Sequence, residues 1–293
     1  MDGILLIDKP QGITSNRVVQ KIKKHLEKEY NAKFKIGHTG TLDFFATGLL
    51  IITINKATRL TEYFQGLDKE YEATGELGKI TDTYDINGTI IEERKCSIEE
   101  DKLIEIIKSF EKTYMQMPPP YSAKRIKGKR AYQLAKKGIT PSLKPKKVTI
   151  HQIQIVDIKL PFFTVQVKCS SGTYIRSLIK EIGDLAGCGA YVKTLRRISV
   201  DSFSVESAVK LEDFLSLNRK EIENLIIPLE KSLPFLPQIN LDEGFDRRFI
   251  TGQRFRVPHK NPETVKVFYK DRFLGIGKID ENSILHPVKV LVI

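Results

Sequence analysis

The chain is poor in cysteine. Cys96, Cys169 and Cys188 are the only three in 293 residues, and no two of them form a CxxC pair. That spacing excludes a zinc ribbon or a disulfide framework and predicts three reduced thiols with no bound metal. No apolar run reaches the length of a membrane span. The first residues hold only Ile4-Leu5-Leu6-Ile7 between Asp2 and Asp8, too short for a signal peptide, so a cytoplasmic protein is expected. The spacing GxxxxGK[ST] is also missing. Gly75-Glu76-Leu77-Gly78-Lys79 only imitates a phosphate loop, and nucleotide triphosphate binding is excluded.

Acid is absent from one long stretch. Residues 121–147 contain ten basic side chains (Lys124, Arg125, Lys127, Lys129, Arg130, Lys136, Lys137, Lys144, Lys146 and Lys147) and no Asp or Glu, which accounts for ten of the net twelve positive charges. A shorter basic run would read as a solvated loop. Here Tyr121 and Tyr132 are interleaved with the charges, the pattern expected where phosphates and stacked bases are contacted together. A polyanionic partner, a nucleic acid, follows.

An apolar content of 41% is ample for a core, and the length suits one large domain with a smaller one. Strands are expected at Gly3 to Asp8, Ile51 to Ile54, from Asp68 to Ala73, at Val148 to Asp157 and at Phe162 to Cys169. Helices are expected after a Thr14 or Ser15 cap with Val18, Val19, Ile22 and Leu26 on one face, at Thr58 to Phe64, over Ile98 to Phe110, and opening within Ser170 to Ser177, through Leu178, Ile179 and Ile182, to a close at Gly183 or Gly187. Asn87-Gly88 marks a hairpin turn. The prolines from Pro228 to Pro237 suggest a linker. Beyond it, Phe249 to Arg254 and the segments around VKVFYKDRFLGIGKID and ILHPVKVLVI read as short strands, with turns at Lys270-Asp271 and Gly275.

The stretch around which the rest is organised is GHTGTLDFFATGLL, residues 37–50. Its glycines free the backbone around His38 and Asp43 to turn tightly, just ahead of a rigid strand. Taken alone, such an aspartate would ordinarily cap a turn. The run resembles, however, the GHTGTLDPLATG motif of the TruB family of tRNA pseudouridine synthases, with Phe44-Phe45 where that family has Pro-Leu. GILLIDKPQGITSNRVV, the DKEY context of Tyr71, LGKITDTYDINGTI, PPPYSAKRIKGKRAYQLAKKG (with Arg125 where lysine is usual), CSSGTYIRSL and YVKTLRRISVDSF match further family motifs in family order.

The resemblance implies an α+β pseudouridine-synthase fold, with a mixed, mostly antiparallel central sheet flanked by helices and a small β-rich PUA-like domain. The expected division is a catalytic domain over 1–237, carrying an RNA-binding insertion near 121–147, and an RNA-binding domain over 238–293. It implies an isomerase, a tRNA pseudouridine-55 synthase acting on the T-arm by base flipping, with Asp43, Tyr71 and Arg176 catalytic. His38, Tyr174 and Leu195, together with Lys124, Arg125, Lys127, Lys129, Arg130, Lys136 and Lys137, would contact RNA. Arg176 would pair with Asp43, a physically sensible arrangement because a planar guanidinium keeps a sheltered carboxylate ionised and oriented. No cofactor, metal or protein partner is expected, and the chain would act as a monomer. The competing reading is a non-catalytic protein on the same scaffold that binds and folds RNA.

Overall fold

The computed structural model describes residues 1–121, 125–126, 129–130, 143–259 and 261–292. In chain order the strands are β1 (Gly3–Lys9), β2 (Ile36–His38), β3 (Thr47–Ile54), β4 (Lys69–Leu77), β5 (Lys79–Thr81), β6 (Ile90–Glu93), β7 (Thr113–Gln116), β8 (Arg125–Ile126), β9 (Lys129–Arg130), β10 (Lys146–Lys159), β11 (Phe162–Cys169), β12 (Ala190–Val200), β13 (Phe203–Ser204), β14 (Val209–Lys210), β15 (Ile227–Pro228), β16 (Gln238–Asn240), β17 (Phe255–Arg256), β18 (Glu263–Tyr269), β19 (Arg272–Ile279) and β20 (Ile284–Val290). The helices are α1 (Ser15–Tyr30), α2 (Thr61–Gln65), α3 (Glu100–Lys108), α4 (Ile175–Leu185), α5 (Leu211–Phe214), α6 (Arg219–Leu225) and α7 (Phe245–Ile250).

The large sheet runs β14-β1-β3-β12-β4-β11-β10-β7. Only β1 with β14 and β12 with β3 pair in parallel along this path; the rest is antiparallel. Strand β1 explains why its sequence lacks a polar alternation: both of its faces are buried. Ile4 and Leu6 pack on one side with Leu49, Ile51, Phe64 and Leu229, whereas Leu5 and Ile7 pack on the other with Val18, Ile22 and Leu26 of α1. Helix α1 starts where its cap residue predicts, the Thr14 hydroxyl accepting the Arg17 N–H. On the far half of the sheet α3 and α4 cover β4, β10 and β11 through Leu103, Ile107, Leu178, Ile179 and Ile182.

A second sheet, β16-β18-β19-β20-β17, forms the C-terminal β-rich unit. It is joined to the larger unit by shared apolar packing, since Phe273, Ile276 and Leu291 lie in one cluster with Ile4 and Leu6. Polar ties reinforce the seam: Lys56 Nζ donates to Val292 O at 2.8 Å and Arg59 Nη1 to Val290 O at 2.7 Å.

Several local expectations are corrected. Phe249 to Arg254 is not a strand: α7 occupies 245–250, because Phe249 must turn inward into the β-sheet core. Gly275 makes no turn; it lies within β19, at φ 144° beside a register shift, where an added Cβ would stand 1.9 Å from Lys289 O. The proline-rich segment is no free tether, since Leu229 and Leu233 are fully buried and β15 pairs with β1. The cysteine expectation also fails for two residues. Cys96 and Cys188, 92 positions apart, form a disulfide with Cα atoms 5.0 Å apart, because the segment before α3 passes the end of α4. Cys169 alone stays a free thiol, and burial pushes its pKa up to about 12.

Candidate active site

Asp43 sits in the loop between β2 and β3, which is pinned on both sides of it. Ser15 Oγ accepts the Leu42 N–H at 2.9 Å and donates back to Leu42 O at 3.1 Å. Beyond Asp43, the Gly12 N–H donates to Phe44 O at 2.9 Å, and the buried Lys9 ammonium donates to Ala46 O at 2.6 Å. The two phenylalanines part company: Phe45 enters the core, and Phe44 is 52% exposed. Gly48 lets β3 lie close to β12. Its φ is 102°, and a Cβ there would stand 2.3 Å from Arg197 O.

Arg176 comes from the first turn of α4, and its side chain is almost wholly buried. Its five N–H groups find five acceptors. Nε donates to Asp43 Oδ2 at 2.9 Å and Nη2 to Asp43 Oδ1 at 3.1 Å, so the fork grips both carboxylate oxygens. The remaining bonds run from Nη2 to Tyr121 O at 2.9 Å, from Nη1 to Thr83 O at 3.0 Å, and from Nη1 to Asp85 Oδ2 at 3.0 Å. Burial pushes the Asp85 carboxyl above the usual carboxylate range, against the pull of Arg176, the Thr83 hydroxyl and the Asn87 N–H.

The pair floors an open cleft of about 310 Å³ lined by Thr39, Leu42, Lys69, Tyr71, Tyr174, Leu195 and Arg197, among others. Tyr71, Tyr174 and Leu195 thus face the same space as Asp43 and Arg176. The cleft wall begins at Thr39, one residue past His38, which ends β2 and is half-buried. The Tyr71 phenol is held protonated well above its usual range, chiefly by burial, although the Arg197 guanidinium acts in the opposite sense. Two lysines titrate unusually low. Lys9 and Lys69 both fall to about 8, with burial the largest cause and the neighbouring Arg197 charge adding to it.

The basic segment begins and ends at this cleft. Tyr121 O accepts from Arg176 at one end, and at the other Lys146 Nζ donates to Ser171 O at 3.2 Å beside Gly172 of the cleft wall. Between them β8 and β9 pair Arg125 with Arg130 and Ile126 with Lys129. Lys124, Lys127, Lys136 and Lys137 lie outside the described residues, as do the side chains of Arg125, Lys129 and Arg130.

Sequence reading missed three side chains that hold the site. Asp85 was visible within LGKITDTYDINGTI, but nothing in its spacing separates it from Asp82, which bonds only the hairpin through the Thr89 N–H. Gln116, almost fully buried, clasps the Tyr174 backbone ahead of α4: its Oε1 accepts the Tyr174 N–H at 2.8 Å and its Nε2 donates to Tyr174 O at 3.2 Å. Arg197 is the third, and no local pattern sets it apart from Arg196, which pairs with Asp8 at 2.7 Å.

The large mixed sheet thus brings a carboxylate and a fully bonded guanidinium from distant parts of the chain to the floor of a cleft walled by Tyr71 and Tyr174. The profile of the TruB family pseudouridylate synthase N-terminal domain matches residues 23–175; those of the tRNA pseudouridylate synthase B C-terminal domain and of the pseudouridine synthase II TruB C-terminal domain match 176–234 and 237–291. The tRNA pseudouridine synthase B of Aquifex aeolicus is 42% identical over 297 residues, and that of Clostridium tetani 39% over 298, each alignment covering 100% of both chains. Among solved structures, a chain of an H/ACA ribonucleoprotein bound to a substrate RNA containing 2′-deoxyuridine superposes with a TM-score of 0.74 at 26% identity, over 99% of this chain and 85% of that one. The chain belongs to the TruB family of pseudouridylate synthases, and it is an isomerase.

Proposed function

We propose that the chain converts uridine 55 in the T-arm of tRNA to pseudouridine, with Asp43 as the reacting carboxylate. The glycosidic bond from N1 to C1′ breaks, the uracil turns in the cleft, and C5 bonds to C1′. The C5 proton leaves and N1 regains one, so no atom is gained or lost and no cofactor is called for. A uracil in a folded RNA loop is stacked and must first be extruded, at a cost of a few kcal/mol offset by contacts elsewhere. The basic side chains of residues 121–147 supply phosphate contacts, His38 occupies or stacks on the vacated loop, and Tyr71, Tyr174 and Leu195 hold the flipped base. Tyr71 also serves in moving the C5 proton, and Arg176 keeps Asp43 ionised and aimed. Asp43 attacks the uracil ring, attacks C1′ or removes a sugar proton; the assignment of the residue is common to all three routes.

The single observation that carries this reading is the pair of hydrogen bonds from the Arg176 fork to Asp43 on the cleft floor, with Tyr71 and Tyr174 facing the same space. The division into a catalytic unit over 1–237 and an RNA-binding PUA-like unit over 238–293, and action as a single chain in the cytoplasm, complete the proposal. No helix among the described residues is long and apolar enough to cross a membrane. The test is release of tritium from T-arm RNA labelled at uridine C5. Wild-type protein should release the label, and Asp43→Asn should abolish release while RNA affinity stays within about tenfold, since one side chain among many phosphate contacts changes. Binding and refolding without any release would overturn the reading in favour of a non-catalytic RNA-folding protein.

A further inference from the structure

One face of α4 is held by polar bonds from β7 and the residue that follows it. Gln116 is almost fully buried, and its amide meets both backbone groups of Tyr174, the residue immediately before α4. The Tyr174 N–H donates to Gln116 Oε1 at 2.8 Å, and Gln116 Nε2 donates to Tyr174 O at 3.2 Å. Tyr174 has an extended backbone, φ −103° and ψ 108°, so its N–H and C=O point the same way. A primary amide, with an acceptor and a donor side by side, closes that pair as a neighbouring strand would. The second N–H of Nε2 donates to the Tyr114 hydroxyl at 2.9 Å, and that hydroxyl donates to Glu181 Oε2 of α4 at 2.9 Å. Between these two ties, Ser177 Oγ donates to Met117 O at 2.7 Å.

The direction of each bond is set. Turned over, the amide would bring Nε2 against the Tyr174 N–H, donor against donor; in the observed sense every proton has an acceptor. Tyr174, Ser177 and Glu181 fall on one stripe of α4 by its 3.6-residue period, and Tyr114 and Gln116 share one face of β7. Elsewhere α4 packs through Leu178, Ile179 and Ile182, apolar contacts that resist separation but, having no direction, not a small rotation about the helix axis. Arg176 adjoins Ser177, roughly 100° around that axis, so such a rotation would swing its fork off Asp43. We infer that Gln116 is a positioning residue for the reaction: its amide, with Tyr114 and Ser177 beside it, locks the rotation of α4 and so sets the aim of the Arg176 fork and the place of Tyr174 in the cleft wall. The inference rests on the roles proposed above for Asp43, Arg176 and Tyr174.

Gln116→Met keeps the volume and removes the three bonds of the amide. With protein in saturating excess over RNA, it should lower the single-turnover rate constant for tritium release about tenfold, the worth of two neutral hydrogen bonds at about fivefold each less the share that the Ser177 bond retains. RNA affinity should stay within about twofold. A role in stability alone would shrink the reacting fraction and leave the rate constant where it was, so an unchanged constant overturns the inference. Tyr114→Phe leaves both Tyr174 bonds in place and should slow release no more than about threefold; added to Gln116→Met it should cost less than about twofold further, and losses that simply multiply would overturn a shared lock. A second readout needs no activity. In ¹⁵N-labelled protein the Arg176 Nε–H signal, assigned by its loss in Arg176→Lys, should move in Gln116→Met, because the fork shifts on Asp43; an unmoved signal overturns the inference. If Gln116→Met does not fold, the same signal is read in Tyr114→Phe and in Ser177→Ala, and its standing still in both is equally fatal. If wild-type protein releases no tritium, the proposed function fails, whereas the Nε–H signal still judges the lock.

Discussion

Replacing Arg176 by lysine keeps the positive charge and removes the geometry, so it asks whether the site needs a cation or a fork. The five N–H groups of Arg176 reach Asp43 twice and Asp85, Thr83 O and Tyr121 O once each, all between 2.9 and 3.1 Å. A lysine carries three donors on one atom, so at least two of these acceptors lose their partner. A buried hydrogen bond to a charged group is worth about 1.5–3 kcal/mol, but not every bond counts alike. The Asp43 side chain is 35% exposed, and water takes over part of its share, whereas Asp85 is 7% exposed and keeps its full requirement. The expected loss of folding stability is therefore on the order of 2–4 kcal/mol, dominated by Asp85. The expected loss of rate is larger in consequence, because Asp43 loses the two-point grip that aims it: about a hundredfold or more in single-turnover tritium release, with RNA affinity little changed. Urea denaturation and filter binding on the same preparation separate the parts. If Arg176→Lys stays folded and reacts within about threefold of wild type, charge alone suffices and the argument from the fork is refuted.

Neutralising Lys124, Lys127, Lys129 and Lys136 together should flatten the dependence of log affinity on log salt by roughly three units, and an unchanged slope would mean that the segment leaves the RNA backbone alone. Unfolding without reductant should expose one reactive thiol, Cys169, and reductant should raise the count to three; three thiols at the outset would show that the bond from Cys96 to Cys188 is not formed. Lys69 releases its proton at about 8 in the folded chain, below the ordinary lysine value of about 10.4, so between these limits the unfolded chain binds more protons and wild-type stability rises with pH. Lys69→Met should lack that rise, lagging wild type by up to about 3 kcal/mol more at pH 10 than at pH 7.5 in urea denaturation, and parallel pH curves would refute the assignment.

Where a segment's environment is set by its own neighbours, the sequence was enough. Helix α1 begins at the Thr14 cap and presents the apolar positions named from their spacing. Strands β10 and β11 pair antiparallel where alternation placed them. The failures are tertiary. Phe249 sits among residues that also suit a strand, and only the β-core into which it inserts makes the segment a helix. The proline-punctuated stretch reads as a tether because its few apolar residues, Leu229 and Leu233, show no periodicity; their burial depends on a surface supplied by β1 and the C-terminal sheet. The disulfide was invisible for the same reason, since Cys96 and Cys188 approach only when the segment before α3 crosses the end of α4.

The site divides along the same line. Asp43 and Arg176 stood out through the motifs that carry them, GHTGTLDFFATGLL and CSSGTYIRSL; taken alone, the first would read as a turn cap and the second as a solvated arginine at a helix start. Asp85 and Arg197 announce nothing: one lies in a hairpin beside a second aspartate, the other in a strand beside a second arginine. Position along the chain assigns each pair equal merit, and only the fold breaks the tie. Asp82 bonds its own hairpin, but Asp85 crosses to α4 to share Arg176 with Asp43. Arg196 pairs with Asp8, but Arg197 bonds the carbonyl oxygens of Leu49 and Gly40. Residues set in a recognisable motif can be named from the stretch that carries it. Those that hold them must be buried against several elements at once, and such burial is written in no single stretch of chain.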